Sequence, residues 1–164
     1  MLTRPRVLAI DDYLPTASPT QWLPAWLADK RVGLCGPTPA TSAPRVLRRM
    51  LIGLPSAAEL RETNAALDGL VHLGPIDRPL DEARVRAELE ALALGGAVLD
   101  VAFARGLFVR PWRRTAVFDA TALRFEAWGR LGVARLEQWV CGDARGMVLT
   151  LGTRWSTPVL ATAD

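Results

Sequence analysis

One histidine, His72, and one lysine, Lys30, stand beside two cysteines in a chain of 164 residues. A nucleophilic triad would have to use His72 as its base, and His72 lies just ahead of Gly74-Pro75, in what reads as a chain reversal. No serine sits in a G-x-S-x-G elbow, so Ser–His hydrolysis is disfavoured. Lys30, in Ala28-Asp29-Lys30-Arg31, has the wrong context for a phosphate-cradling P-loop. Cys35 and Cys141 are each isolated from any C-x-x-C and read as small buried hydrophobes, with a disulfide between them left open. What remains is arginine working with a carboxylate, for which Asp100, Asp119, Glu126 and Glu137 are candidates, since lyases and isomerases need no histidine.

The strongest positive feature is Arg110-Pro111-Trp112-Arg113-Arg114, a proline-broken connection carrying stackable and bidentate groups. Such a string suits backbone phosphates and stacked bases, or else a solvated hairpin with its Trp folded inward. From Arg105 to Arg154 there are nine arginines against four acids, and Arg45, Arg48 and Arg49 add to the positive charge. The overall net charge of +3 is nevertheless too small to imply nucleic acid by itself. Six tryptophans are the other surplus. Trp and Arg dominate protein–protein hot spots, and Trp128 falls opposite Leu123 and Phe125 if that stretch is a strand.

Val7–Ile10 followed by Asp11-Asp12, and Gly96–Leu99 followed by Asp100, resemble the acid-tipped strands of response-regulator receiver domains. The spacing of about 90 residues is too great for compact βαβ units, and no lysine follows Lys30, so both acids read as solvated strand ends. Asp11 and Asp12 are the first carboxylates to consider for a divalent ion, although nothing requires a metal or another cofactor.

These residues must be positioned by elements the pattern allows. Arg6–Ile10 reads as a short buried strand, and Ser18-Pro19 opens a short helix with Trp22 and Trp26 on one face. A second helix spans Arg45 to Ile52, and the capping box Ser56-x-x-Glu59 starts a third that continues to about Leu70. The clearest helix runs from Leu80 to Leu94 and is ended by Gly95-Gly96. From Ala97 onward short apolar runs alternate with turns, among them Thr115–Phe118, Leu123–Trp128, Val133–Val140 and Met147–Leu151. The expected fold is α+β, a single domain over 1–164. Its helix-rich part, 1–95, packs on one face of an antiparallel meander formed by the strand-rich 96–164.

No apolar run reaches the ~18 residues a membrane helix needs, and no secretory h-region opens the chain, so a cytoplasmic location is expected, or assembly into a particle from the cytoplasm. The scarcity of catalytic groups and the Trp/Arg surplus favour a non-catalytic interaction or assembly protein, such as a component of a phage particle or secretion machine. Protein partners or self-association follow from that reading, with no membrane. The alternatives are a nucleic-acid-binding module on the basic C-terminal half, and a small-anion-binding protein or lyase-type enzyme with an arginine- and tryptophan-lined pocket on the sheet. Candidate contact residues are Arg110, Trp112, Arg113, Arg114, Trp128, Arg45, Arg48 and Arg49.

Overall fold

Pro19 has no amide to leave unpaired in a first helical turn, and α1 starts there, Pro19–Ala28, with Pro24 accommodated inside it. The computed structural model describes residues 19–28, 30–62, 66–103, 114–141 and 147–155. A four-residue strand, β1, Val32–Cys35, is followed by a single 3-10 turn at Ala40–Ser42. Helices α2, Arg45–Leu51, and α3, Ala57–Glu62, come next. Ser56 Oγ accepts the Glu59 amide, so the cap read from the sequence is real.

The helix it opens ends at Glu62, however, and β2 occupies Leu67–Pro75. Eight of its nine positions are buried. A strand covered on both faces shows no polar alternation, and its apolar run was therefore indistinguishable from the end of a helix. Helix α4, Glu82–Leu89, is capped by the Asp81 side chain on the Arg84 amide. Gly95-Gly96 does not end that helix. It lies inside β3, Leu92–Phe103, where the register against β2 jumps between Leu67↔Leu92 and Gly69↔Ala97. Helix α5, Arg114–Arg130, then precedes β4, Val133–Cys141, and β5, Met147–Arg154.

The strands form one sheet in the order β1-β2-β3-β5-β4. Strands β1, β2 and β3 run parallel, while β5 is antiparallel to both β3 and β4. This corrects the expected fold: the sheet is mixed, and helices and strands interleave in an α/β arrangement rather than dividing into a helical half and an antiparallel half. Each face has its own apolar core. On one, Leu23 of α1 and Leu47 and Leu51 of α2 meet Val71, Leu73, Leu99 and Val101. On the other, Val85 and Leu89 of α4, Ala127 and Trp128 of α5 and Leu131 just after it meet Leu70 and Val98.

The largest departure is α5, where strands were expected at Thr115–Phe118 and Leu123–Trp128. Arg124, Ala127, Trp128 and Leu131 are all buried, which is helical spacing, whereas Leu123 is 62 % exposed. An arginine inside that stripe breaks its apolar pattern, and the residues on either side then mimic strand alternation. The topology also settles the cysteines. Cys35 on β1 and Cys141 on β4 lie at opposite edges of the sheet, four strand spacings or ~19 Å apart, well beyond disulfide reach.

Substitution separates the helix from the strand reading. Leu131→Ala should cost about 2–5 kcal/mol in urea unfolding, as a fully buried leucine does, and Leu123→Gln should stay within about 0.5 kcal/mol of the parent.

Candidate functional site

A row of polar side chains crosses the face of the sheet covered by α4 and α5. The register pairs Cys35 with His72, His72 with Asp100, Asp100 with Thr150, and Thr150 with Gln138. Residues facing each other across a ladder share a face, so one polar residue per strand lines up across the sheet. All five are buried. At its far end Gln138 Nε2 donates to Thr150 Oγ1 at 3.1 Å.

Asp100 is the centre of the row. Oδ1 accepts from Arg124 Nη2 at 2.8 Å and His72 Nδ1 at 3.1 Å. Oδ2 accepts from Arg124 Nε at 2.8 Å and Trp128 Nε1 at 3.0 Å. These donors fill both lone-pair positions on each carboxylate oxygen. Burial alone pushes the Asp100 carboxyl up, but the charge and hydrogen bonds of Arg124, with the bond from His72, outweigh it and hold the group well below the usual carboxylate range. Arg124 behaves in the complementary way: burial works against its charge, and Asp100 more than restores it. Its remaining nitrogen, Nη1, donates to the carbonyls of Pro75 and Arg78, tying the segment after β2 to the same cluster. Asp100 is therefore not a solvated strand end; it has no exposed surface and sits within β3.

His72 is a member of the strand β2 and not of a chain reversal. An ionised carboxylate only accepts, so Nδ1 must be the protonated nitrogen in its bond to Asp100. The ring is also fixed edge-on to Trp128, with centroids 5.7 Å apart and planes at 81°. In the neutral ring Nε2 is then a hydrogen-bond acceptor, and among the described residues no group bonds to it.

The imidazole lines a cavity of about 180 Å³ at the carboxyl ends of β1 and β2. Ligands of α/β proteins collect at that end of a parallel sheet. Gly36, Pro37, Gly74 and Pro75 line it together with the buried apolar Leu80 and Val85 and the Arg124 guanidinium. The exposed Arg78, Asp81 and Arg84 with half-buried Glu88 make up its charged rim. Gly36 is what allows β1 to turn there. Its φ is +102°, and a Cβ would fall 2.3 Å from the Leu73 carbonyl oxygen. A neighbouring hollow of about 340 Å³ shares Gly36, Pro37, Arg84 and Glu88 and reaches Cys35. Burial pushes the Cys35 thiol up, with the Glu88 and Asp100 carboxylates adding to it, which argues against a reactive thiolate.

Among the described residues, the contact residues expected from the sequence do not come together here. Trp128 has no exposed surface and commits its indole N–H to Asp100, so it is a core residue and offers nothing to a partner. Arg45, Arg48 and Arg49 are exposed on α2, which packs on the opposite face of the sheet. Arg114 begins α5. Arg110, Trp112, Arg113, Asp11 and Asp12, together with the expected strand Arg6–Ile10, lie outside the described residues. Among the described residues no three His, Cys, Asp or Glu side chains converge as metal ligands, and no helix is long and apolar enough to cross a membrane. Arg124 was the residue the sequence hid. The available signal was a single polar residue centred in each of the apolar runs Val71-His72-Leu73, Leu99-Asp100-Val101 and Leu149-Thr150-Leu151.

Removing the charge of Asp100 alone should strand the Arg124 guanidinium. Asp100→Asn is expected to lose about 3–5 kcal/mol, and replacing Asp100 and Arg124 together with Leu and Met substantially less. Because folding depresses the carboxyl, its stabilisation is present above the unfolded value of roughly 3.9 and is lost as pH falls below it. Chemical unfolding between pH 5 and pH 2 should thus show a shallower acid slope in Asp100→Asn than in the parent; equal slopes would contradict the assignment.

No family model matches the chain, and no curated protein is significantly similar to it. Among solved structures it is similar to an O-methyltransferase family protein from Burkholderia thailandensis, at TM-score 0.42 and 10 % identity over 84 % of this chain and 57 % of that one. A possible exported protein from Bordetella parapertussis follows at TM-score 0.36 and 18 % identity, over 76 % and 53 %. The N-methyltransferase NodS from Bradyrhizobium japonicum WM9 gives TM-score 0.34 and 15 % identity, over 86 % and 99 %. The chain thus spans little more than half the length of the first two, and TM-scores of this size establish neither a shared fold nor a shared activity.

Proposed function

We propose that this protein binds a small organic molecule in the cavity at the carboxyl ends of β1 and β2, with His72 Nε2 accepting a hydrogen bond or a proton from it. The single observation behind this reading is a histidine whose Nδ1 is held by Asp100, whose Nε2 has no partner among the described residues, and whose ring lines a cavity. A carboxylate behind a histidine fixes its tautomer and orientation and stabilises the imidazolium that proton uptake produces. The size of the cavity supports a one-ring ligand, since roughly 150 Å³ suffices for benzene in an engineered core. Much of the lining is proline, glycine and aliphatic side chains, and the lining Arg124 guanidinium is already committed to Asp100 and two carbonyls. In such surroundings a hydrogen bond to Nε2 is strengthened.

This reading develops the alternative of a small-anion-binding protein or lyase-type enzyme, with the cavity as its proposed location. If the protein is an enzyme, the lyase-type chemistry considered there would begin with proton transfer to Nε2. The assembly reading has less support, because Trp128, one of its principal candidates, is inside the molecule.

Because the chain has one histidine, its ring signals in NMR are unambiguous. Titration with phenol and other one-ring hydroxy compounds should shift the His72 signals saturably and raise Tm. His72→Gln should weaken the binding by about five-fold or more, the worth of one buried hydrogen bond. A panel that moves neither the ring signals nor Tm would refute the proposal.

A further inference from the structure

The charged rim of the cavity is unevenly matched. Arg84 Nε lies 3.8 Å from Glu88 Oε1, one turn along α4. The Asp81 carboxylate is turned to the Arg84 amide, where the helix N-terminus favours its charge. The guanidinium of Arg124 is occupied by Asp100 and two carbonyls. Arg78 differs from all of these. Its backbone carbonyl is held by Arg124 Nη1 at 3.0 Å, while its exposed side chain borders the cavity and, among the described residues, makes no ion pair.

We infer that Arg78 is the specificity-determining residue of this site and selects ligands that carry an acidic group. The inference rests on the small-ligand reading above. The ligand then has a hydrogen-bond donor that meets His72, an apolar body against Leu80 and Val85, and a carboxylate or comparable anion at the rim. A guanidinium is suited to the last contact because its planar fork can hold a carboxylate through two parallel N–H bonds. The backbone of Arg78 is fixed by a buried partner, so its side chain starts from an anchored position and less ordering is needed on binding. The site therefore pairs a proton acceptor at its inner end with an anion anchor at its mouth.

The test uses matched pairs that differ only in charge: 3-hydroxybenzoate, 4-hydroxybenzoate and 4-hydroxyphenylacetate, each against its own amide, titrated into the full chain with the His72 ring signals as readout. At least one acid should bind about five-fold or more tightly than its amide. Arg78→Gln should erase that preference, lowering acid affinity about five-fold or more relative to amide affinity, with Tm unchanged since the carbonyl that Arg124 holds is still present. If the amides bind through His72 and no pair favours the acid, or if the preference survives in Arg78→Gln, the inference is wrong and the binding site stands. If neither acids nor amides move the His72 signals, the site itself is refuted along with it.

Discussion

A carboxylate with no water around it must either collect donors or give up its charge, and Asp100 collects them from three directions. Arg124 and Trp128 come from α5, and His72 from the neighbouring strand β2. The arrangement makes the position of α5 on the sheet specific, since a helix rotated by one residue could not present both Arg124 and Trp128 to the same carboxylate. Arg124 passes the constraint on to the carbonyls of Pro75 and Arg78, so the segment that leads into α4 is fixed by the same charge. A second, exposed link joins the helices where Arg130 donates to both oxygens of Glu82, at 3.1 and 3.3 Å. Solvent screens that pair, and the buried cluster dominates the docking.

The two faces of the sheet do different physical work. The face under α1 and α2 is lined by aliphatic side chains such as Leu73, Leu99, Val101 and Leu149. The face under α4 and α5 carries the polar row, and it is this face that opens into the cavity. Period-two alternation along β2 and β3 makes the separation possible: Val71 and Leu73 point one way and His72 the other, as Leu99 and Val101 do around Asp100. Burying a charged pair gives little net stability compared with an apolar core, and here the same carboxylate that docks α5 also orients His72. Elsewhere on the same side Arg154 is also buried and caps the end of α4, with Nη1 donating to the carbonyls of Leu89 and Leu92.

Much of this was legible in the sequence wherever one local signal decided the outcome. Pro19, the Ser56 cap and the short apolar runs Val133–Val140 and Met147–Leu151 each marked a real element. The errors arose where tertiary burial overrode the local pattern. Strand β2 is covered on both faces and shows no alternation, so the run from Leu67 was taken into the preceding helix and His72 into a turn. In α5 a buried arginine occupies a core position, and its neighbours Leu123 and Phe125 then imitate an apolar strand face. Those two misreadings account for the antiparallel meander. The site suffered for the same reason: His72, Asp100 and Trp128 each drew notice separately, but only a parallel pairing of β2 with β3 sets the first two opposite each other.

The central claim is that Asp100 holds His72 by Nδ1 and thereby leaves Nε2 to the cavity. Long-range ¹H–¹⁵N NMR of the single imidazole, followed to the alkaline end of its titration, reads the tautomer directly. The account predicts a neutral ring protonated on Nδ1, with Nε2 showing the shift of an unprotonated nitrogen, and loss of that bias in Asp100→Asn. A neutral ring protonated on Nε2 would contradict it, because the bond to Asp100 could not then exist as described.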